Sequence, residues 1–228
     1  MSATSLEIVH ESPHAVCVDK LPGWLTIPGR SGDLDPRPCL VREVARRYPG
    51  KIWIVHRLDL EVSGLVLFAR SGEAHRFLCG LLERRGAVKT YEAWTEGKPP
   101  ADPGSEQAWE GLLVRGKRRV HESDRGKWSR TLARFRGEVA WTGRPLLAWE
   151  LRPETGRPHQ LRCQAAARGF AIAGDGLYGS TVAFRPGEIA LRAVRLDLRD
   201  ASKDDLARFG LPRVLEAPLG LDRRRVVC

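Results

Sequence analysis

Leu65-Val66-Leu67-Phe68-Ala69 is an unbroken apolar run that starts directly after Ser63-Gly64 and stops at Arg70-Ser71. Such a run reads as a buried strand, and a chain that contains one must build a sheet around it. Short apolar stretches from Leu6 to Leu25, broken by Ser12-Pro13 and Pro22-Gly23, suit two further strands and a tight turn. A glycine and proline loop follows from Pro28 to Pro38. Leu40, Val41, Val44, Ala45 and Tyr48 recur at helical spacing until Pro49-Gly50 ends them. Ser71 suits the N-cap of a second helix with an apolar stripe of Ala74, Phe77, Leu78, Leu81 and Leu82, ended by Gly86.

Beyond it, Val88 to Thr95 is expected as a strand, and Pro99 to Lys127 as exposed loops around a short strand at Leu112 to Val114. Strands at Thr131 to Phe135 and Leu146 to Leu151 follow. A short helix fits His159 to Arg168, closed by Gly169, and the alternation from Ile189 to Leu198 suits a last strand. Strands with interspersed helices and no internal repeat favour an α+β fold with a largely antiparallel sheet.

The length of 228 residues suits a single catalytic domain over 1–228. With 42% hydrophobic and 29% charged residues, and no stretch near the length of a membrane span, the composition is globular. Met1 to Leu6 lacks the features of a secretory signal, which leads to an expected cytoplasmic location. Cys17, Cys39, Cys79, Cys163 and Cys228 are scattered, with no C-x-x-C pair, and the histidines form no H-E-x-x-H. Neither a disulfide framework nor a metal site is expected.

The formal charge of +10 makes a polyanion the natural partner. Basic residues gather at Arg84-Arg85, at Arg115 and Lys117 to Arg119, at Arg125, Lys127 and Arg130, and at Arg223 to Arg225. A merely solvated basic surface is the alternative.

The most specific segment runs from His56 to Arg70, His56-Arg57-Leu58-Asp59-Leu60-Glu61-Val62-Ser63-Gly64 leading straight into the buried strand. It resembles the H-R-L-D-x-x-T-S-G-L-L-L-x-A-K signature of RluA-type RNA pseudouridine synthases. Asp19-Lys20-Leu21-Pro22-Gly23-Trp24 is similar to the family's N-K-P-x-G-L segment, and Lys89-Thr90-Tyr91-Glu92-Ala93 to its K-x-Y-x-A strand. Thr155 to Arg162 resembles T-G-R-T-H-Q-I-R, and Ile172 to Gly179 resembles I-x-G-D-x-x-Y-G. The blocks occur in family order across most of residues 16 to 196. The resemblance implies a bent, mixed, mostly antiparallel sheet with flanking helices and a central basic cleft, isomerising uridine in ribosomal or transfer RNA. It implies no cofactor and no metal, and a soluble monomer that engages no membrane.

Turning uridine into pseudouridine breaks the N1–C1′ bond, rotates the uracil and joins its C5 to C1′. A carboxylate is needed near C1′, as a nucleophile or as a base, and Asp59 is the candidate. An aspartate in a dry pocket needs a cation to remain ionised, and the resemblance assigns that role to Arg162. Tyr91 would pack on the uracil and assist proton movement at C5, although a core tyrosine is its bland reading. The uridine must leave the stack, and Arg57 is suited to fill its place. His56 and His159 are divided between RNA contact and structural hydrogen bonding. Lys89, Arg157, Arg118 and Arg119 complete the expected RNA-binding set.

Three positions depart from the family pattern. Val62 replaces a threonine, Pro158 a threonine, and Gln164 a common histidine. Loss of the threonine hydroxyl near Asp59 means that its loop must be ordered by other means. The chain before the first motif is too short for the S4-type RNA-binding domain of many relatives, so the basic segment from Arg115 to Arg130 is expected to choose the target. Two rivals are a non-catalytic RNA-binding or ribosome-assembly protein and a glycosidase pairing Asp59 with Glu61 or Asp175.

Overall fold

The computed structural model describes residues 6–29, 32–100 and 102–222. The expected basic run Arg223 to Arg225, and Cys228, lie outside the described residues. In chain order the elements are β1 (Glu7–Glu11), β2 (Ala15–Lys20), α1 (Leu40–Arg47), β3 (Trp53–Ile54), β4 (Ser63–Ala69), α2 (Gly72–Glu83) and β5 (Val88–Thr95). They continue with β6 (Glu106–Arg115), β7 (Val120–Glu122), β8 (Lys127–Trp141), β9 (Arg144–Pro153), α3 (Gln160–Ala167), β10 (Leu191–Asp197), α4 (Lys203–Phe209) and β11 (Val214–Glu216). The class is α+β, and the chain divides into two compact units.

The first unit comprises residues up to Val88 together with Ala193–Pro218. Its strand order is β1-β2-β4-β10, with β11 on β10 and β3 on β4. The β1/β2, β2/β4, β3/β4 and β10/β11 pairings are antiparallel. Every residue of β2 and β4 is buried, as the apolar run from Leu65 to Ala69 requires. Ala15, Cys17, Leu65, Leu67 and Ala69 turn one face toward Leu78 and Leu81 of α2 and toward Leu206 and Phe209 of α4.

The second helix starts where its cap was expected, for Ser71 Oγ accepts from Ala74 N–H at 3.2 Å. Its end differs slightly: Arg85, not Gly86, takes the left-handed conformation at φ 62°, and Gly86 N–H donates to Leu81 O at 2.8 Å.

The second unit, Lys89–Arg192 with Leu219 onward, has the strand order β5-β9-β8-β6-β7, all antiparallel. Here the expectation of exposed loops from Pro99 to Lys127 fails. Glu106–Arg115 is a ten-residue strand paired with β8 from Glu106 to Leu113 and with β7 from Leu113 to Arg115. Trp109 and Leu113 turn inward, while Glu106, Ala108, Glu110 and Leu112 face out. That outward row hides the strand in the sequence, and pairing with β8 outweighs the weak local preference. The β8–β9 hairpin closes through Thr142-Gly143, with φ 47° and 79°, the backbone that a two-residue turn needs. An aromatic cluster fills this unit, with Trp149 centred 5.1 Å from Trp109 and 4.8 Å from Phe170.

Candidate active site

In the first unit, the H-R-L-D segment is a turn held from beneath. Val62 N–H donates to Asp59 O at 3.3 Å, so the turn spans Asp59 to Val62, and Ser63-Gly64 already belongs to β4. Two side chains order it. Thr26 Oγ1 donates to Leu58 O at 2.9 Å and accepts from Leu58 N–H at 3.1 Å, closing both backbone groups of the residue before Asp59. Lys20 is fully buried and spreads its ammonium over the carbonyls of Leu21, Trp24 and Leu60 at 3.0, 2.9 and 3.2 Å. Without a hydroxyl at Val62, the turn is thus ordered by side chains from another part of the chain. Gly64 has φ 112°, and a Cβ there would stand 2.1 Å from Ala193 O, so only glycine allows β4 to begin here.

Asp59 is half-buried and Arg57 exposed at this turn. His56 Nε2 accepts from Leu67 N–H at 3.1 Å, which commits that nitrogen to ordering the strand entry.

In the second unit the remaining motifs converge. Arg162 donates from Nε to Asp175 Oδ2 at 2.7 Å and from Nη2 to Asp175 Oδ1 at 2.9 Å, with the side chains 3% and 1% exposed. This bidentate fork joins the H-Q-x-R and G-D-x-x-Y-G motifs. It also removes Asp175 as the second acid of a glycosidase, because both its oxygens already accept from the guanidinium.

Arg162 stands between two buried glutamines on α3. Gln160 uses its amide fully, accepting from Thr155 Oγ1 (2.7 Å) and Arg157 N–H (3.1 Å) and donating to Arg130 O (3.0 Å) and Thr131 Oγ1 (2.9 Å). Gln164 donates to Trp109 O and Ser129 Oγ at 2.9 and 3.1 Å and accepts from Thr131 Oγ1 at 2.6 Å. The Thr131 hydroxyl bridges both glutamines and so fixes α3 against β6 and β8.

His159 caps α3 in the left-handed conformation at φ 48°, its Nδ1 sharing a 3.2 Å hydrogen bond with the Tyr178 hydroxyl. That hydroxyl also accepts from Val120 N–H at 3.0 Å. The Arg162 guanidinium lies 5.3 Å from the Tyr178 ring centroid, and Arg119 donates to Leu177 O at 3.2 Å. Burial pushes the Tyr178 phenol up to about 12, so it remains protonated. Tyr178 therefore ties the basic β6–β7 turn, which carries Arg118 and Arg119, to His159 and Arg162. Lys89 lies near the Thr155-Gly156-Arg157 turn, since a Cβ on Gly156 would be 3.9 Å from its Nζ; burial holds its ammonium below the ordinary lysine range. Tyr91 sits on β5 opposite Leu151, 8% exposed.

Residues 14–167 match the family described as RNA pseudouridylate synthase. The chain belongs to that family. It is 34% identical over 197 residues to a dual-specificity RNA pseudouridine synthase RluA of Vibrio vulnificus, covering 83% of this chain and 76% of the relative. The RluA of Pasteurella multocida is 31% identical over 216 residues, 91% and 93% of the two chains. The fold is that of human RNA pseudouridylate synthase domain containing 1, with a TM-score of 0.70 at 24% identity over 87% of this chain and 81% of that one.

As an RNA pseudouridine synthase the chain is an isomerase, and a non-catalytic binder is not favoured. Three groups escaped the sequence reading. Thr26 lies in no motif; Lys20 and Tyr178 lie within motifs that assign them no role. A lysine inside an apolar stretch was the one available signal, since an ammonium buried there must find several acceptors. Among the described residues no three His, Cys, Asp or Glu side chains gather as a metal site, and no helix is long and apolar enough to cross a membrane.

Proposed function

We propose that the chain catalyses the isomerisation of a uridine in ribosomal or transfer RNA, with Asp59 as the reacting carboxylate. Asp59 acts on the ribose of the extruded nucleotide, either bonding to C1′ as the N1–C1′ bond breaks and leaving as C5 bonds there, or removing a sugar proton and returning it afterwards. The N1–C1′ bond breaks, the uracil turns, C5 bonds to C1′, and the C5 proton is lost as N1 gains one. Tyr91 packs on the uracil, and Arg162, already oriented by Asp175, supplies the positive charge that keeps the Asp59 carboxylate ionised. Arg57 occupies the space left in the RNA stack. His56, Lys89, Arg157, His159, Arg118 and Arg119 contribute to RNA binding. No cofactor or metal enters this chemistry, and the protein works as a cytoplasmic monomer.

The clamp on the Asp59 turn supports this reading most strongly. A buried lysine and a buried threonine are spent on the backbone at Leu58 and Leu60, an expensive arrangement for an ordinary surface turn. The names of the relatives, which include a ribosomal large subunit pseudouridine synthase D and a tRNA pseudouridine synthase C, support the RNA classes.

The test is Asp59→Asn, which keeps volume and most polar contacts. The variant should bind RNA and form no pseudouridine, while the wild type converts uridine with no change in RNA mass or length. Appreciable turnover by purified Asp59→Asn would sink the assignment, and release of free uracil by the wild type would point to a glycosidase.

A further inference from the structure

The outer face of the β6–β8 sheet changes character along its length. Toward one end three of its cations are ion-paired. Arg130 pairs with Glu110 and Glu154 at 3.2 and 3.7 Å, Arg152 with Glu106 and Glu150, and Arg136 with Glu150. At the other end stands a cross-strand pair of large apolar side chains, Leu112 on β6 and Trp128 on β8, 37% and 41% exposed. Exposed Arg125 and Lys127 precede the tryptophan, and Arg157 Nε donates to Trp128 O at 3.2 Å. An indole exposed among cations, beside a ladder where charges are paired off, does not suit an apolar protein partner. It suits a nucleobase, whose ring stacks on the indole while its phosphates meet the neighbouring cations.

We propose that Trp128 is the stacking platform for an unpaired base of the RNA outside the reacting uridine, with Leu112 extending the apolar floor and Arg125, Lys127 and Arg157 holding the flanking phosphates. This rests on the RNA substrate proposed above and assigns it a second point of contact. The platform is rigid. Trp128 is fixed by β6 pairing and by Arg157, and the turn bearing Arg157 is knitted by Gln160 to Arg130 O and Thr131 on the same strand. A base held at Trp128 is therefore in fixed register with the turn that leads to Arg162. The contact lies on the paired strands β6 and β8 and selects RNA by what is unpaired near the target, since stacking accepts any base face.

Affinity for a fluorescein-labelled oligouridylate, and single-turnover isomerisation of the RNA on which the wild type forms pseudouridine, test the idea together. Trp128→Ala should weaken binding about 5- to 150-fold, the range of one lost base–aromatic stack, and Trp128→Phe should restore most of it. The salt slope of Trp128→Ala should match wild type, because no cation is lost. Arg125→Gln with Lys127→Gln should instead flatten the slope by about 1.4, at roughly 0.7 per phosphate contact. The saturated rate of Trp128→Ala should stay within threefold of wild type, as the side chain touches no reacting atom. An affinity within twofold of wild type overturns the inference, as does a shift in oligomeric state on Trp128→Ala, which would make the patch a protein interface. Wild-type protein that forms no pseudouridine on any RNA would overturn the functional reading itself, and the two failures are separate results.

Discussion

Replacing Asp175 by asparagine isolates the buried ion pair at the centre of the second unit. The carboxylate takes two hydrogen bonds, at 2.7 and 2.9 Å, from a guanidinium that is itself 3% exposed. Asparagine keeps the shape but presents an NH2 group to a guanidinium that can only donate, and it removes the countercharge. The pair's own net contribution need not be large, because bringing two ions out of water offsets much of their attraction. Removing one partner is different. Breaking a buried, hydrogen-bonded ion pair by removing one partner typically costs about 3–5 kcal/mol. For a chain of this size each kcal/mol shifts Tm by about 2–4 °C, so Asp175→Asn should lower Tm by roughly 6–20 °C. Thermal unfolding followed by circular dichroism measures it. The double variant Arg162→Met/Asp175→Asn should unfold at a higher temperature than Asp175→Asn alone, because no guanidinium then faces the asparagine NH2. A drop under 2 °C in the single variant, or a double variant less stable than the single, would refute the argument that Asp175 is what keeps Arg162 in place.

Thr26→Val removes the hydroxyl that closes both backbone groups of Leu58 while keeping its volume; single-turnover isomerisation should fall about 10- to 100-fold with little change in RNA affinity, and Thr26→Ser should recover it. An unchanged rate would show that Asp59 is positioned without Thr26. Glu96 offers a pH test: burial alone would raise its pKa, but hydrogen bonds from Ser180, Thr181 and Val182 win and hold it below the ordinary carboxylate range. Its contribution is therefore present above the unfolded pKa, near 4.5, and lost as pH falls through the folded value, so the acid limb of the stability curve should be shallower in Glu96→Gln; superimposable curves would dismiss it. Arg118→Gln with Arg119→Gln should flatten the salt dependence of RNA binding by about 1.4 and weaken all RNAs alike, and an unaltered slope would remove the β6–β7 turn from the RNA surface.

How much the sequence disclosed follows the range of the interactions involved. The Asp59 turn and β4 are contiguous, and their polar cluster and apolar run could be seen directly. The ends of α2 depend on neighbours within one turn, and Ser71 was visible as its cap. Helix α4 carried equally local signals, Ser202 with Asp205 three positions on and Gly210 at φ 59°, yet its seven residues bury only Leu206 and Phe209, too few to show a period. Strand β6 failed for the opposite reason. Its outward glutamates look like loop until β8 and β9 bring Arg130 and Arg152 beside them. The Arg162–Asp175 pair was hidden in the same way, each residue visible in its own motif and the partnership set only by folding.

The departures from the family pattern sharpen this distinction between what chemistry constrains and what packing leaves open. At Val62 a hydroxyl is lost locally and the turn is ordered by Thr26 from another segment. At Gln164 the amide takes the place of a common histidine and meets three partners on β6 and β8 with no group that titrates near neutral pH. The Gln164 anchor of α3 thus contains no titrating side chain of its own. In both cases the group proposed for the reaction is kept while the support beneath it changes, because support can be delivered from any neighbouring element that reaches the same atoms. The β6–β8 strand pair has still more freedom. It must only hold Thr131 and Ser129 inward for α3, and its outward row, Leu112 and Trp128 included, is left for the RNA that this chain must tell from others.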